Sequence, residues 1–231
     1  MRRTSLDFGE YISMIEKSPL FEGFHECDIQ NALSASKAVV VDCDSKDVVF
    51  FEGEIIDKIC LVLRGQVDAV HNDFWGNYVL LGRFLPMQTF ADSSIILEAA
   101  PPYMAIAESK ASVLVLSYTS LRQAFDDDGK LCKRLLNNLW AISEQKSIAL
   151  VRRISLLTIP KVHERMLSFL SYEAEKAGSN TFILPYNHSE LASYLCMNRT
   201  TLSVVLTRLV DEGIISYDKN TFKLQRTGDP L

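Results

Sequence analysis

The sequence predicts an α+β chain in three parts: an all-β barrel or sandwich, one long helix, and a helix–turn–helix closed by a two-stranded wing. Three observations predict it. Between Ala38 and Tyr118, short β-branched and aromatic runs alternate with turn signals every ~8–12 residues. From Thr119 to Leu157 there is no proline, and apolar residues recur at spacings of three, four or seven. After Asn187, two short helix-periodic segments flank a tight turn, and two strand-like runs follow.

The elements follow in order. The stretch up to about Ser36 reads as short helices, broken at Ser18-Pro19 and resumed in "HECDIQNALSAS" with Ile29 and Leu33 on one face. "AVVVDCDSKDVVFFEGE" carries two strands around a turn cluster at Asp42–Asp47. "KICLVLRGQVDAVHND" reads as two strands joined at Arg64-Gly65. "DFWGNYVLLGRFLP" turns at Trp75-Gly76-Asn77 before another strand, and "YMAIAESKASVLVLSY" adds two more. "FADSSIILEAAPP" interrupts them with a short helical insertion.

The long helix has more apolar surface than one packing face needs. One stripe can pack on the β domain; the other, with Leu136, Trp140 and Ile148, is left over, which suits a homodimer seam. The residues assigned to the dimer helix are Leu131, Leu135, Leu139, Ile142, Ala149 and Leu156. The alternative is that both stripes are buried within one subunit. Pro160 suits a first helical turn and not a helix interior, so a hinge falls near Leu157. A new helix then runs to about Ala177, where Gly178 stops it. The expected divisions are residues 1–118, 119–157 and 158–231.

Composition narrows the function classes. The 231 residues carry a net charge of −5, but residues 152–231 hold 10 Lys/Arg against 8 Asp/Glu, a balance that permits a nucleic-acid partner in that part. No apolar run reaches the ~18 residues of a membrane span, and the N-terminus lacks a signal-peptide core, so a cytoplasmic chain without membrane contact is expected. The five cysteines are scattered and form no CxxC pair, so free thiols are expected, with no metal and no cofactor. No Gly-rich phosphate loop, GxSxG elbow or HExxH is present, which argues against an enzyme.

"NHSELASYLCMNRTTLSVVLTRLVDEGIISYDKNTFKLQ" carries the sharpest pattern. Asn187 with Glu190 makes a capping box; Leu191, Ala192 and Leu195 form an apolar face; Cys196-Met197 is the turn. Asn198 caps a second helix with Leu202, Val205, Leu206, Leu209 and Val210 inward, and Gly213 ends it before a hairpin at "YDKN". Together these make a winged helix-turn-helix. A helix that enters a major groove by its N-terminus needs polar groups in its first turns. Arg199 is placed to fork onto a guanine edge, and Thr200 and Ser203 to reach neighbouring bases. Asn198 and Thr201 suit phosphates beside the free N–H groups of the helix start, with His188 and Arg208 as further phosphate candidates.

The order of parts resembles the CRP/FNR family of bacterial transcription regulators over nearly the whole chain. The most specific segments are "FFEGEIIDKICLVLRGQV", with glycines at Gly53 and Gly65, and "LASYLCMNRTTLSVVLTRLVDEGII". The resemblance implies an eight-strand jelly roll (a double-stranded β-helix like that of cyclic-nucleotide-binding domains), a long dimerisation helix and a C-terminal winged helix-turn-helix. It implies a homodimer on double-stranded DNA at a two-fold symmetric operator, controlled by a small-molecule effector, and contact with RNA polymerase. The family's base-reading pattern pairs Arg-Glu with a second Arg; here Arg199 matches the first, while Thr200 and Val204 stand in the other places.

The effector region departs further. Cyclic-nucleotide-binding members carry Phe-Gly-Glu and, some ten residues later, Arg-Ser. Here Phe90-Ala91-Asp92 is followed by Pro101 and Pro102, and no arginine lies between Phe90 and Leu121. A buried phosphate would lack its counter-charge, so an effector other than a cyclic nucleotide is expected. An iron–sulfur sensor would want more cysteines before Cys43 than Cys27 alone, and a haem sensor would rest on His71 only. The aromatic-rich interior, with Phe50, Phe51 and Phe84, suggests a pocket lined by Trp75, Tyr78, Phe90, Asp92, Tyr103 and Trp140; the alternatives are that these side chains are simply core and that the chain has no small-molecule effector. A second function class stays open: a ligand-binding regulatory or scaffold protein whose winged domain contacts protein rather than DNA.

Overall fold

The computed structural model describes residues 2–4, 9–72, 78–92, 95, 99–124 and 129–225, with backbone alone for residues 2–4, 9, 72, 78 and 124. Trp75 and the side chain of Tyr78 therefore lie outside what is described. The chain forms two compact units, Met1–Ser147 and Ile148–Leu231. The boundary between these units falls inside the long helix.

In the first unit, one sheet holds β1 (Arg2–Thr4), β2 (Val39–Cys43), β9 (Ala111–Ser117), β4 (Lys58–Arg64) and β7 (Thr89–Phe90), in that order. The other orders β3 (Val48–Phe50), β8 (Met104–Ala107), β5 (Val67–Asn72) and β6 (Tyr78–Phe84). All pairings are antiparallel. Helices among the described residues include α1 (Gly9–Ile15), α2 (Glu26–Ala35), α3 (Tyr118–Ala124) and α4 (Gly129–Leu157). Residues 125–128, inside the helix predicted from Thr119, are not described. β1 lies where the sequence suggested only helix.

The strand period of two explains why the five-stranded sheet reads as unbroken apolar runs. β4 is buried from Ile59 to Leu63. Its odd members, Ile59, Leu61 and Leu63, face a core shared with Ile15, Leu20, Phe21, Ile29 and Leu33; Cys60 and Val62 face the roll interior with Phe50, Phe90 and Ala107. β9 divides the same way, with Leu114 and Leu116 on the helix side and Val113 on the other. Both faces of this sheet are covered, so alternation in polarity disappears.

α4 contributes Leu135, Leu139 and Ile142 to the helix-side core, with Leu131 packed against it. Asn138 Nδ2 donates to the carbonyls of Leu20 and Glu22, each at 3.0 Å, and pins the short 3-10 turn Pro19–Phe21 to α4. This corrects the seam assignment: Leu135, Leu139 and Ile142 are spent inside their own subunit. Leu156 packs into the core of the second unit, and only Ala149 of the predicted seam is exposed. Two stripes run along the helix, and periodicity does not say which one its own roll takes.

Asp68 and Arg83 stand opposite each other on β5 and β6 and form a two-pronged pair at 2.6 and 2.8 Å, each side chain 2% exposed. A charged pair so buried holds only because both members hydrogen-bond.

The second unit packs α5 (Val162–Ala177), α6 (His188–Tyr194) and α7 (Arg199–Asp211) on a sheet ordered β10 (Thr181–Ile183), β12 (Thr221–Leu224), β11 (Ile215–Asp218). α5 begins later than predicted, after Pro160, and ends at Gly178 in the left-handed region (φ 59°). Phe182, Phe222 and Tyr217 stack across the three strands and floor the core of Met166, Phe169, Leu170, Leu206 and Leu209.

The two glycines of the β3–β5 region differ in what they permit. Gly65 (φ 78°) turns β4 into β5, and a Cβ there would stand 2.3 Å from the Lys110 carbonyl oxygen. Gly53 (φ 82°) faces open space. Gly65→Ala is therefore expected to destabilise the fold by more than ~2 kcal/mol, combining backbone strain with overlap, and Gly53→Ala by ~1 kcal/mol. Urea unfolding of both variants checks this; equal midpoints would contradict it.

Candidate nucleic-acid interface

The winged unit is set by its caps. Asn187 Oδ1 accepts from the backbone N–H of Ser189 (2.9 Å) and Glu190 (3.0 Å), and Glu190 Oε2 accepts from the Asn187 N–H (2.8 Å). Both halves of the predicted capping box are present. The turn is tight because Cys196 takes a left-handed conformation (φ 52°) and Met197 N–H returns to the Ala192 carbonyl. Asn198 Oδ1 then accepts from Thr201 N–H at 2.7 Å and starts α7. Arg165 of α5 locks this junction: its guanidinium donates to the Ile159 carbonyl and, at 2.9 Å, to that of Leu195.

α7 buries Leu202, Val205, Leu206 and Leu209. Val210, predicted inward, is exposed. The opposite face presents Arg199, Thr200, Ser203, Val204, Thr207 and Arg208 to solvent. The Arg199 guanidinium makes no hydrogen bond or ion pair among the described residues, so its fork is free. Thr200 projects one position further round the open face.

The other sequence candidates are placed differently. Ser203 is exposed, but its hydroxyl donates to the Arg199 carbonyl at 3.0 Å, which uses its only proton. Arg208 Nε donates to Glu212 Oε1 at 2.7 Å, and Glu212 Oε2 meets His163 Nε2 at 3.1 Å. Those two hydrogen bonds hold the Glu212 carboxyl below its ordinary range. Arg208 is thus engaged through one of its five N–H groups. Asn198 has its oxygen in the cap, and Thr201 is half-buried with its N–H in the same cap. His188 packs its ring against Tyr217 (5.6 Å between centroids), and its Nε2 is buried without a partner among the described residues. His188 is corrected from a phosphate contact to a packing residue. Val204, noted in the sequence only as standing in place of the family's second arginine, shares this exposed face with Thr207, which the sequence reading did not single out.

In the roll, Phe50, Phe84, Phe90 and Tyr103 form one aromatic cluster, with Phe84 and Phe90 stacked at 5.2 Å and Phe50 tilted against Tyr103 at 5.5 Å. Tyr103 Oη accepts from the Ala91 N–H at 3.1 Å, and burial pushes the Tyr103 hydroxyl above its ordinary range. Ala91 sits at φ 65°, a conformation suited to the glycine that the family pattern has there. Lys146 of α4 closes the cluster. Its Nζ donates to Asp92 Oδ1 at 2.5 Å and to Thr89 Oγ1 at 3.3 Å, and lies 5.9 Å from the centre of the Phe84 ring. Burial pushes the Lys146 ammonium below its ordinary pKa, while Asp92 works the other way.

Of the predicted effector residues, the structure brings Phe90, Asp92 and Tyr103 together. Trp140 is corrected: it is 69% exposed on α4, pairs its indole N–H with Glu144, and lines an open groove of ≈510 Å³ with Leu136, Cys132 and Lys133. Phe51, at 62% exposure, also lies outside the cluster. His71 is at the surface against Glu52. Lys146 was missed because it lies 54 residues from Asp92, on a different kind of element.

Comparison with known proteins decides the family. Residues 164–227 match the model of the Crp-like helix-turn-helix domain, and residues 40–128 that of the cyclic nucleotide-binding domain. The chain belongs to the CRP/FNR family. It is a CRP-family transcription regulator with a helix-turn-helix DNA-binding domain. The cyclic AMP receptor protein of Thermus thermophilus is 24% identical over 212 residues, covering 90% of this chain and 93% of that protein. Among solved structures, the global regulator CLP of Xanthomonas campestris aligns with a TM-score of 0.70 at 18% identity, over 88% of this chain and all of that one. FixK2 of Bradyrhizobium japonicum aligns with a TM-score of 0.66 at 20% identity, over 82% and 93%. These likenesses carry the jelly roll and winged helix-turn-helix. No helix of the described residues is long and apolar enough to cross a membrane.

The charge pair in this CRP/FNR roll gives a test of its own. Asp92 is 8% exposed, so Asp92→Asn leaves a half-buried ammonium without its partner. The expected loss is about 1–3 kcal/mol, reduced by the part of Lys146 that water reaches. Asp92→Asn combined with Lys146→Met should recover most of it. Chemical denaturation of the three variants reads this, and an additive double variant would contradict the pairing.

Proposed function

We propose that the protein binds double-stranded DNA sequence-specifically as a homodimer, in the cytoplasm, under the control of a small molecule that is not a cyclic nucleotide. The observation that carries the reading is the free Arg199 fork at the start of α7, presented on a helix whose opposite face is buried and whose first turn is held by Asn198. A fork so placed matches the two acceptors of a guanine edge in the major groove. A two-fold symmetric operator and contact with RNA polymerase belong to the same reading.

The roll supports the effector half. A cyclic phosphate needs donors and a spare positive charge. Here the carboxylate of Asp92 already takes the Lys146 ammonium, and the Tyr103 hydroxyl takes the Ala91 N–H. Effectors differ among similar proteins: CLP is described as responsive to c-di-GMP, and CprK is known in complex with OCPA. The aromatic walls of Phe84, Phe90 and Tyr103 favour an effector with an apolar or aromatic body.

The dimer reading rests on the stripe that α4 leaves uncovered. Leu136, Trp140, Ile148, Val151 and Ile154 are exposed, and four of them recur at helical spacings on one side. Trp140→Glu and Val151→Glu are expected to give well-folded monomers on analytical ultracentrifugation. Leu135→Glu, by contrast, should unfold the roll, because it places a charge in the subunit's own core. A dimeric Val151→Glu, Trp140→Glu double variant would overturn this assignment.

DNA binding is read by fluorescence anisotropy on duplex from a binding-site selection, over a range of salt. The wild type should show a steep loss of affinity with salt, as counterion release requires. Arg199→Ala should lose roughly 1–3 kcal/mol of discrimination at one base position in each half-site. Arg208→Ala should change affinity little, since Glu212 already holds that guanidinium. Sequence-independent, salt-insensitive behaviour would favour a winged domain that contacts protein.

A further inference from the structure

We propose that Val204 is a specificity-determining residue that reads a thymine methyl group, so that each half-site holds a thymine near the base facing Arg199. This rests on the DNA reading above and extends it.

The open face of α7 is unusual in what it lacks. Its buried ridge is Leu202, Val205, Leu206 and Leu209. Opposite that ridge, at steps of four and three, stand Thr200, Val204 and Thr207, all exposed. The polar neighbours on either side are already committed: Ser203 gives its proton to the Arg199 carbonyl, and Arg208 is held by Glu212 at the far end of the helix. Past the Arg199 fork, the centre of the face therefore offers methyl groups. Thr200 and Thr207 each carry one, and Val204 carries two at the middle of the stripe.

Val204 is 63% exposed, so neither of its methyls serves the protein core. A β-branched residue does not favour the helix either. Val210 is also exposed, but it lies in the last turn of α7, away from the N-terminal end that enters a groove. Val204 lies one turn inside that end.

The major groove offers one apolar group, the C5-methyl of thymine. Valine has no donor or acceptor and cannot tell guanine from adenine by hydrogen bonds. It can bury a methyl against a methyl, and it penalises a cytosine whose amino group would be left facing hydrocarbon. Thymine is the base that fits.

The test uses the full-length protein and the duplex obtained from binding-site selection. Each thymine of the half-site is replaced, one symmetric pair at a time, by deoxyuridine, which removes the methyl and leaves base pairing intact. Wild-type protein is expected to lose about three- to tenfold in affinity at one thymine position, the scale of one buried methyl or two. Val204→Ala should lose that sensitivity, binding the thymine and deoxyuridine duplexes within about twofold, the residue of the shorter side chain's contact. Val204→Thr, which keeps one γ-methyl, should retain part of it. The preference at the base facing Arg199 should persist in both variants. If the wild type selects a sequence yet responds to deoxyuridine nowhere, or if Val204→Ala responds as the wild type does, this inference fails and the DNA reading stands. If the wild type selects no sequence, both fail.

Discussion

The antiparallel register of β4 on β9 is the constraint on which the first unit depends. Ile59 stands opposite Leu116, Cys60 opposite Val115 and Leu61 opposite Leu114. Because strand side chains alternate, this register sends one set of residues to the helices and the other to the roll interior. A slip of one residue would exchange the two sets. Leu61 and Leu63 would enter a space filled by Phe50 and Phe90, and the helices would lose their floor. Each buried leucine or isoleucine is worth about 1.5–3 kcal/mol, so the correct register wins by many such terms at once. The irregularity between Val62 and Arg64 lets the strand leave this pairing before the Gly65 turn.

α4 inherits its position from that sheet. Its Leu135, Leu139 and Ile142 sit on the helix-side core, and Asn138 and Arg134 tie it to backbone carbonyls of the Leu20–Gly23 segment. That face fixes the rotation of the helix about its own axis. Two consequences follow at once. Lys146 is carried to Asp92, and Leu136 and Trp140 are turned to solvent. The aromatic cluster of the roll and the exposed Leu136 and Trp140 thus border two faces of one helix, set by a single packing interface.

The same helix shows where sequence reasoning stops. Its end at Leu157 and its two apolar stripes were legible from spacing, but the assignment of the stripes was not. Leu135 and Leu136 are neighbours in sequence and equal in hydrophobicity; only the shape of the roll separates them. The winged unit was more legible because its signals are local. Asn187 with Glu190, and Asn198 with Thr201, act across three residues, so residue type and spacing carry the whole interaction. Lys146 with Asp92 acts across the fold and leaves no mark on periodicity. Charge partners within the helix, such as Arg208 with Glu212, were readable at i,i+4, yet Arg208 was assigned to phosphate as a lone cation. His188 failed for a related reason: its place at a helix start was visible, but the Tyr217 ring that covers it comes from the wing hairpin.

The roll and α7 use opposite solutions to one physical problem. A polar group that must act on a ligand has to be held without being satisfied beforehand. In the roll, the Lys146 ammonium and the Asp92 carboxylate satisfy each other, and the Ala91 N–H is taken by Tyr103. A ligand there would have to displace a charge-assisted hydrogen bond, which sets a high threshold for anions and a lower one for apolar groups that leave the pair intact. On α7 the arrangement is reversed. Asn198 and the buried leucines hold the backbone, and the Arg199 guanidinium stays unspent. The Glu212 carboxylate restrains the competing cation at the other end of the helix. Charges paired from within are closed to a ligand that needs them, and a fork left open can still pair with two acceptors.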